Sequence, residues 1–196
     1  MNKHNKKKWE IVVEPKSPIP IENLETIIEE GENLNFPIHR SFIYNLINQH
    51  WDMFIEDMAQ RKKEDLKHAI LNNNEEAFRE HIRHISSINS YYRMNNAEFS
   101  ANKLKLVLSL TDFREYIGTT MYSLLDKQFK ELLMRLGEED KNDPNYYFAN
   151  PLAVCSNIVT SDRKVPICMR SKKVSIYPET LHVIGGFVKA NYHNNF

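Results

Sequence analysis

The spacing of hydrophobic positions predicts helices in the first part of the chain. In residues 37–63 apolar side chains recur at helical spacing, and Pro37 suits the first turn. These apolar positions are Ile38, Phe42, Ile43, Leu46, Ile47, Trp51, Phe54, Ile55 and Met58. Residues 72–88 begin with asparagines that can cap a helix and glutamates that suit its first turn. We therefore expect two helices, the first with one face in the core.

A strict alternation follows and predicts a half-buried strand. Leucines occupy every second position of this strand, and other residues lie between them. The leucines are Leu104, Leu106, Leu108 and Leu110, and the other residues are Lys103, Lys105, Val107 and Ser109. The turn signal "SAN" precedes it, so an antiparallel hairpin is expected. A shorter strand is predicted at residues 9–13, before the prolines at 15, 18 and 20. After the hairpin, helical spacing returns at Tyr122, Leu125, Phe129, Leu132, Leu133 and Leu136, and predicts a helix that ends at Gly137.

The last part of the chain is predicted to be rich in strands. The segments "LAVCSNIVT" and "KVPICMRS" flank the turn "SDR", which predicts a second hairpin, and "TLHVIGG" predicts a further strand. The acidic, proline-containing segment "GEEDKNDP" is the best candidate for a boundary. We expect an α+β protein, with an amino-terminal domain of helices and a hairpin at residues 1–140 and a second domain at 146–196.

Composition limits the kinds of binding partner and the cellular compartment that we expect for this protein. Lys and Arg total 26 and Asp and Glu total 26, so the electrostatic footprint of a nucleic-acid-binding protein is missing. The basic run "NKHNKKK" is typical of a solvated terminus, and no apolar stretch suits a signal peptide or a membrane span. We expect a cytoplasmic protein with no nucleic-acid or membrane partner, in which Cys155 and Cys168 pack as small reduced apolar residues.

Three segments place polar or flexible residues where a ligand could bind. The first, "LTDFREYIGTT", joins a strand to a predicted helix, a position that exposes backbone N–H groups to anions. A purely structural interpretation is open for the same residues. Thr111 and Asp112 can cap the helix, and Arg114 can pair with Glu115 or another surface carboxylate.

The other two segments lie near the end of the chain. In "CMRSKKV", Arg170 and Ser171 precede two lysines, a cationic cluster that suits a phosphate or carboxylate, although a solvated strand end has the same composition. The pair Gly185 and Gly186 indicates either a sharp turn or close approach of the backbone to a ligand. His81 and His84 share a helix face but lack the further ligands of a metal site.

Taken together and in order, these three segments lie in two longer stretches that resemble a known family. They are "LSLTDFREYIGTT" and "YYFANPLAVCSNIVTSDRKVPICMRSKKVSIYPETLHVIGG". They are similar to the UDP-glucose and UDP-galactose pyrophosphatase branch of the Nudix hydrolases, over roughly residues 104–186. The resemblance implies an amino-terminal α+β domain packed on a Nudix fold, a mixed sheet between helices, with a UDP-sugar bound between them.

The resemblance also assigns substrate-binding roles. Phe113 lies where the family has Tyr and would stack on the uracil, while Arg114 and Thr119 would lie near the nucleotide. Arg170 would point toward the diphosphate or the sugar. The other positions carried over as substrate-binding are Asp112, Ser171, Gly185 and Gly186.

The departures from the family pattern concern catalysis most. Ile184 replaces the proline before the glycine pair, Pro178-Glu179 stands where Pro-Gly is usual, and Thr120 replaces Asn. The complete family enzyme uses Mg²⁺, held by glutamates of the pattern REUXEEXGU after the glycines. The segment "FVKANYHNNF" has no acidic residue, so we assign no catalytic or metal-binding residue.

The function expected from the resemblance is hydrolysis of UDP-sugars to UMP and sugar 1-phosphate, by a chain that ends before the Nudix helix and is therefore inactive. A binding protein for nucleotide sugars that lacks catalysis, or an interaction module, remains the alternative. A Nudix sheet limited to its opening strands would also expose an apolar edge, which predicts self-association.

Overall fold

The computed structural model describes residues 17–29, 40–66, 90–156, 158–171, 174 and 176–190. Helices and strands both form in these ranges, so the protein belongs to the predicted α+β class. The strand predicted at residues 9–13, the helix predicted at 72–88 and its two histidines lie outside them. In the described part of the chain, no helix combines the length and the apolar character needed to cross a lipid bilayer.

The first long helix, α1, extends from Ser41 to Leu66, close to the predicted bounds. Its predicted core face is confirmed, because five of the expected apolar side chains are buried: Ile43, Ile47, Trp51, Ile55 and Met58. These positions repeat at three- and four-residue intervals, which places them on one side of a helix. The buried stripe of α1 is therefore the surface on which the following segments pack.

The predicted hairpin forms two strands of a three-stranded sheet. Strands β1 (Leu24–Ile28), β2 (Ser90–Ser100) and β3 (Lys103–Asp112) are ordered β1-β3-β2. Strand β1 is parallel to β3, and β2 is antiparallel to β3. Ala101 and Asn102 connect β2 to β3 with φ angles of 48° and 62°, the left-handed values that a two-residue type I′ hairpin turn requires.

A helical segment of changing pitch follows β3. Phe113–Glu115 forms one α-helical turn, Tyr116–Met121 is π-helical, and Tyr122–Leu124 is a 3₁₀ turn. We call Tyr116–Met121 the π segment. Gly118 within it contacts α1 so closely that a Cβ atom there would lie 2.6 Å from Ile47 Cγ2. The glycine therefore permits the close packing of the π segment on α1.

The second helix, α2, extends from Lys127 to Lys141, so its predicted bounds were wrong at both ends. It begins late because the Asp126 side chain caps it, accepting a hydrogen bond from Phe129 N at 3.0 Å. It continues through Gly137 because the left-handed residue that ends it is Asn142, with φ of 54°. Gly137 instead makes room for the returning chain, since a Cβ there would lie 2.4 Å from Asp143 O.

The core lies between α1 and α2. Ile43 and Ile47 of α1 pack in one cluster with Phe129, Leu133 and Leu136 of α2. The segment that leaves α2 closes the cluster with Tyr147, Phe148 and Ala149. Farther along α1, a second cluster contains Trp51, Ile55, Met58 and Ile117.

The strands of the last part pair differently from the prediction. Strand β4 (Ala153–Ser156) is antiparallel to β7 (Ile184–Phe187), and β5 (Cys168–Met169) is antiparallel to β6 (Leu181–His182). The turn at "SDR" does form, with Thr160 N donating to Lys164 O at 2.9 Å. The hairpin predicted across it is nevertheless wrong, because both of its strands find later partners. Alternation marks a strand but does not specify which strand it pairs with.

The two parts of the chain meet at Tyr92 in β2. Tyr92 N donates a hydrogen bond to Val188 O at 3.1 Å, and Tyr92 O accepts one from Leu152 N at 2.7 Å. Val188 N also donates to Leu152 O at 2.8 Å. Backbone hydrogen bonds therefore cross the boundary predicted after residue 140.

Apolar side chains are exposed on the strands of the last part. Val154 and Ile184 point to the same face of the β4–β7 pair and are 57 % and 43 % exposed. Cys155 and Cys168 are also exposed and free, so the expectation that they pack as buried apolar residues was wrong.

Candidate functional site

A cavity of about 790 Å³ lies where the helical segment after β3 meets the strands of the last part. Phe113, Arg170, Gly185 and Gly186, all predicted as substrate-binding residues, line it together. They come from three separate segments of the sequence and converge only in the folded chain. We refer to this space as the first cavity.

Aromatic rings form one continuous wall of the first cavity. The rings of Phe113 and Tyr116 have centroids 6.0 Å apart, and Tyr116 and Phe187 pack edge to face at 4.9 Å. Phe187 in turn contacts Tyr91 of β2 at 5.5 Å. Such a wall offers flat apolar faces to a ring-shaped ligand.

Arg170 contributes a cation to the lining of the same cavity. Its backbone is fixed, because Arg170 N donates to Thr180 O at 2.9 Å and Arg170 O accepts from Glu179 N at 3.1 Å. Its Nε atom is buried and has no hydrogen-bond partner among the described residues. A guanidinium N–H in this state is suited to an anionic or carbonyl oxygen of a ligand.

Electrostatics link Arg170 to the aromatic wall. Burial raises the pKa of the Tyr116 hydroxyl, Tyr177 raises it further, and the charge of Arg170 acts in the opposite direction. Tyr116 therefore remains a neutral phenol near neutral pH, and Arg170 is the cation that faces it.

Asp112 and Arg114 do not line the first cavity. Their contacts stabilise the start of the helical segment that follows β3. Asp112 Oδ1 accepts a hydrogen bond from Glu115 N at 2.7 Å, and Glu115 Oε2 accepts one from Asp112 N at 3.3 Å. This capping box is the structural alternative anticipated from the sequence. Arg114 lies 3.8 Å from Asp112 Oδ2 and contacts Asn48 Oδ1 at 3.5 Å.

Thr119 is buried and also lies away from the cavity. Its hydroxyl donates to Glu115 O at 2.7 Å and accepts from Ala149 N at 3.1 Å. It therefore fastens the π segment to the chain that follows α2. Ser171 continues from Arg170, and its carbonyl oxygen accepts from Val174 N at 3.2 Å.

Gly185 and Gly186 lie inside strand β7, so the interpretation of the pair as a turn was wrong. Neither glycine has a positive φ angle. Gly185 allows close approach of the neighbouring strand, because a Cβ there would lie 2.4 Å from Val154 O. Gly186 has no atom within 4 Å of such a Cβ, and by the strand register that Cβ would lie on the face that carries Val154 and Ile184.

The buried carboxyl group of Glu115 lies beneath the residues that form the aromatic wall. Its side chain accepts a hydrogen bond from the Thr111 hydroxyl at 2.7 Å. Burial, reinforced by the charge of Asp112, raises the pKa of Glu115 to about 7. Its protonation therefore changes near neutral pH, directly next to Tyr116 in the sequence.

The donor set of the first cavity does not fit Mg²⁺. Carboxylate and other oxygen ligands are the groups that this ion prefers, and the described residues that line the cavity include no Asp or Glu. Within the described ranges, no group of at least three His, Cys, Asp or Glu residues could hold a metal ion. No metal-dependent step follows from these side chains.

Comparisons with known proteins do not assign a family. No protein-family model matches this chain, and no curated protein is significantly similar to it in sequence.

Sequence reasoning missed several walls of the first cavity: Tyr91, Tyr116, Tyr177, His182 and Phe187. Tyr116 belongs to the segment "TDFREY" that had been singled out, and its spacing from Phe113 was the available signal. Tyr91, His182 and Phe187 pair with residues that are distant in the sequence, and such pairing leaves no local pattern.

Proposed function

We propose that the first cavity binds a nucleotide sugar of the UDP-sugar class, in a protein related to Nudix-type UDP-sugar hydrolases. The observation that supports this most is the convergence of Phe113, Arg170 and the glycine pair on one cavity. These residues were selected because of the resemblance, and they are distant in the sequence.

The chemistry of the walls suits the two ends of such a ligand. The aromatic wall around Phe113 and Tyr116 offers stacking surfaces for the uracil ring. In the same cavity, Arg170 offers a planar cation with an unpaired, buried Nε, which suits a diphosphate oxygen. The volume of about 790 Å³ is within the range of roughly 300–1,000 Å³ that is typical of small-molecule sites.

Hydrolysis by this chain is expected to be very slow. The family reaction uses Mg²⁺ to neutralise the diphosphate and to activate water. The described walls of the cavity contribute one arginine and no carboxylate for that purpose. We therefore propose binding of the nucleotide sugar without appreciable turnover.

Two measurements on the complete 196-residue chain test this proposal. Isothermal titration calorimetry with UDP and UDP-glucose should show saturable binding at one site. An assay for UMP release from UDP-glucose with magnesium should show almost no product. Absence of binding up to millimolar ligand would overturn the proposed site, whereas steady UMP release would overturn the argument about slow turnover alone.

Exposed apolar residues favour an interaction module as a second candidate. Val154 and Ile184 form an uncovered apolar face on the β4–β7 pair. Such a face favours association with another copy of the chain. Light scattering after size exclusion should show concentration-dependent assembly, which the double substitution V154K/I184K reduces. The control V159K also adds charge at an exposed valine, outside this pair, and should leave assembly unchanged.

A further inference from the structure

A second cavity of about 360 Å³ lies beside the first. Helix α1 contributes His50, Met53, Phe54 and Asp57 to its walls, and the π segment contributes Ile117 and Met121. The two cavities share part of one wall, residues 176–177. Most of the side chains around the second cavity are apolar or aromatic, and nothing in the proposed function uses them.

His50 is the polar side chain that this cavity is built around. It is only 7 % exposed, and its Nδ1 atom lies 3.0 Å from Gly118 O. Because a carbonyl oxygen can only accept, Nδ1 carries the hydrogen and donates it. Burial lowers the pKa of His50, so the ring is neutral near pH 7 and Nε2 holds a lone pair.

The orientation of the His50 ring is fixed by its neighbours. It stacks on Tyr122 with centroids 3.3 Å apart and meets Phe129 edge to face at 4.7 Å. No hydrogen bond joins Nε2 to another residue in the described part of the chain. Nε2 is therefore an oriented acceptor without a donor from the described residues, in a side chain that lines the cavity.

We propose that the second cavity binds a small planar aromatic molecule that carries one N–H or O–H donor, which hydrogen-bonds to His50 Nε2. The aromatic ring would pack against Phe54 and between the flexible thioethers of Met53 and Met121. The walls are mostly apolar, and Asp57 is the one carboxylate among the described residues that line them, so they disfavour anionic ligands, whose charge would be desolvated beside a like charge. This proposal does not depend on the nucleotide-sugar site.

A matched pair of probes tests the donor directly. Indole presents one N–H, and 1-methylindole has the same ring system without it. In the full chain labelled at histidine nitrogen and methionine methyl groups, indole should shift the His50 Nε2 resonance and the Met53 and Met121 methyl resonances saturably. We expect 1-methylindole to bind roughly 3- to 10-fold more weakly, as loss of one hydrogen bond implies. Equal affinity of both probes, or no shift at Nε2 with indole, would overturn the proposal.

Two exposed leucines provide variants that should not disturb folding. Leu125 lines the second cavity and is 84 % exposed, whereas its neighbour Leu124 is 54 % exposed and does not line it. In L125W the introduced indole ring competes for the cavity, so added indole should bind about tenfold more weakly. L124W should retain the affinity of the unmodified chain. If L125W binds indole with unchanged affinity and the same Nε2 shift, the assigned cavity is wrong.

Discussion

Gly185 of β7 lies against the backbone carbonyl of Val154 in β4, so closely that a Cβ atom at position 185 would be 2.4 Å from the Val154 oxygen. The next glycine differs completely, since a Cβ at Gly186 would have no neighbour within 4 Å. Both residues line the first cavity. One glycine therefore holds two strands together, while the other has open space on the exposed face of the pair.

Substitution of Gly185 by alanine should destabilise the protein, and the same change at Gly186 should not. The methyl group in G185A collides with a backbone atom, and overpacking of this kind costs about 1–3 kcal/mol. G186A adds a methyl group in open space, and its effect should stay within about 0.5 kcal/mol. Urea unfolding followed by circular dichroism measures both changes. Equal stability of the two variants would contradict the pairing of β4 with β7.

Removal of the Arg170 guanidinium should weaken UDP binding without loss of the fold. Hydrogen bonds to a charged group contribute about 1.5–3 kcal/mol, so R170Q should raise the Kd for UDP roughly 10- to 100-fold. R135Q removes an exposed arginine from α2 and is the matched control. Calorimetry on both variants and the unmodified chain gives the comparison.

A substitution of Arg114 distinguishes the binding site indicated by the structure from the site implied by the family resemblance. The resemblance predicts that R114A abolishes UDP-sugar binding, but the structure places Arg114 beside Asp112, outside the cavity walls. We expect R114A to change the Kd less than R170Q does. The reverse order would show that the nucleotide binds along the start of the helical segment instead.

Protonation of Glu115 should make the stability depend on pH. Its pKa is about 7 in the folded chain and about 4.5 for the unperturbed group, so the folded state binds a proton that the unfolded state has released. Stability from this group is fully present below pH 4.5 and is lost as the pH rises through 7, with a slope of up to about 1.4 kcal/mol per pH unit.

The variant E115Q tests this dependence because glutamine resembles the neutral acid and does not titrate. Chemical unfolding measured between pH 5 and 8 should give a flatter profile for E115Q than for the unmodified chain. The control E131Q changes an exposed glutamate of α2 and should keep the original slope. A profile for E115Q that is as steep as the original would assign the pH dependence to other groups.

Backbone conformation at Glu179 should make glycine more stable than alanine there. Glu179 has a φ angle of 56°, in the left-handed region, at the position where the resembling family has glycine. A non-glycine residue in this region costs about 1–2 kcal/mol. E179G and E179A both remove the carboxylate, so their difference isolates the backbone. We expect E179G to unfold at the higher urea concentration, and a more stable E179A would refute the strain.

Local patterns in the sequence predicted the elements that form locally. The leucine alternation of β3, the turn before it and the buried face of α1 are all confirmed, because spacing alone determines which side chains share a face. Helix α2 was predicted with wrong ends because Asp126 and Asn142, rather than apolar spacing or Gly137, set its limits.

Long-range pairing explains the errors in the candidate site. The strand that precedes "SDR" pairs with β7, far along the chain, and no local signal encodes that choice. For the same reason the sequence indicated Phe113 and Arg170 but not Tyr91 or Phe187. The capping box of Asp112 shows the opposite case. The sequence allowed either a capping role or a substrate-binding role for this residue, and the structure shows the capping role.

The hydrogen bonds at Tyr92 have a consequence for the order of folding. Its N–H pairs with Val188 and its carbonyl oxygen with Leu152, so strand β2 receives partners synthesised much later. During translation β2 can form its hairpin with β3 at once, but this junction must wait until residue 188 has left the ribosome. Contacts of such high sequence separation slow folding. The hairpin is thus expected to serve as an early template to which the later strands attach.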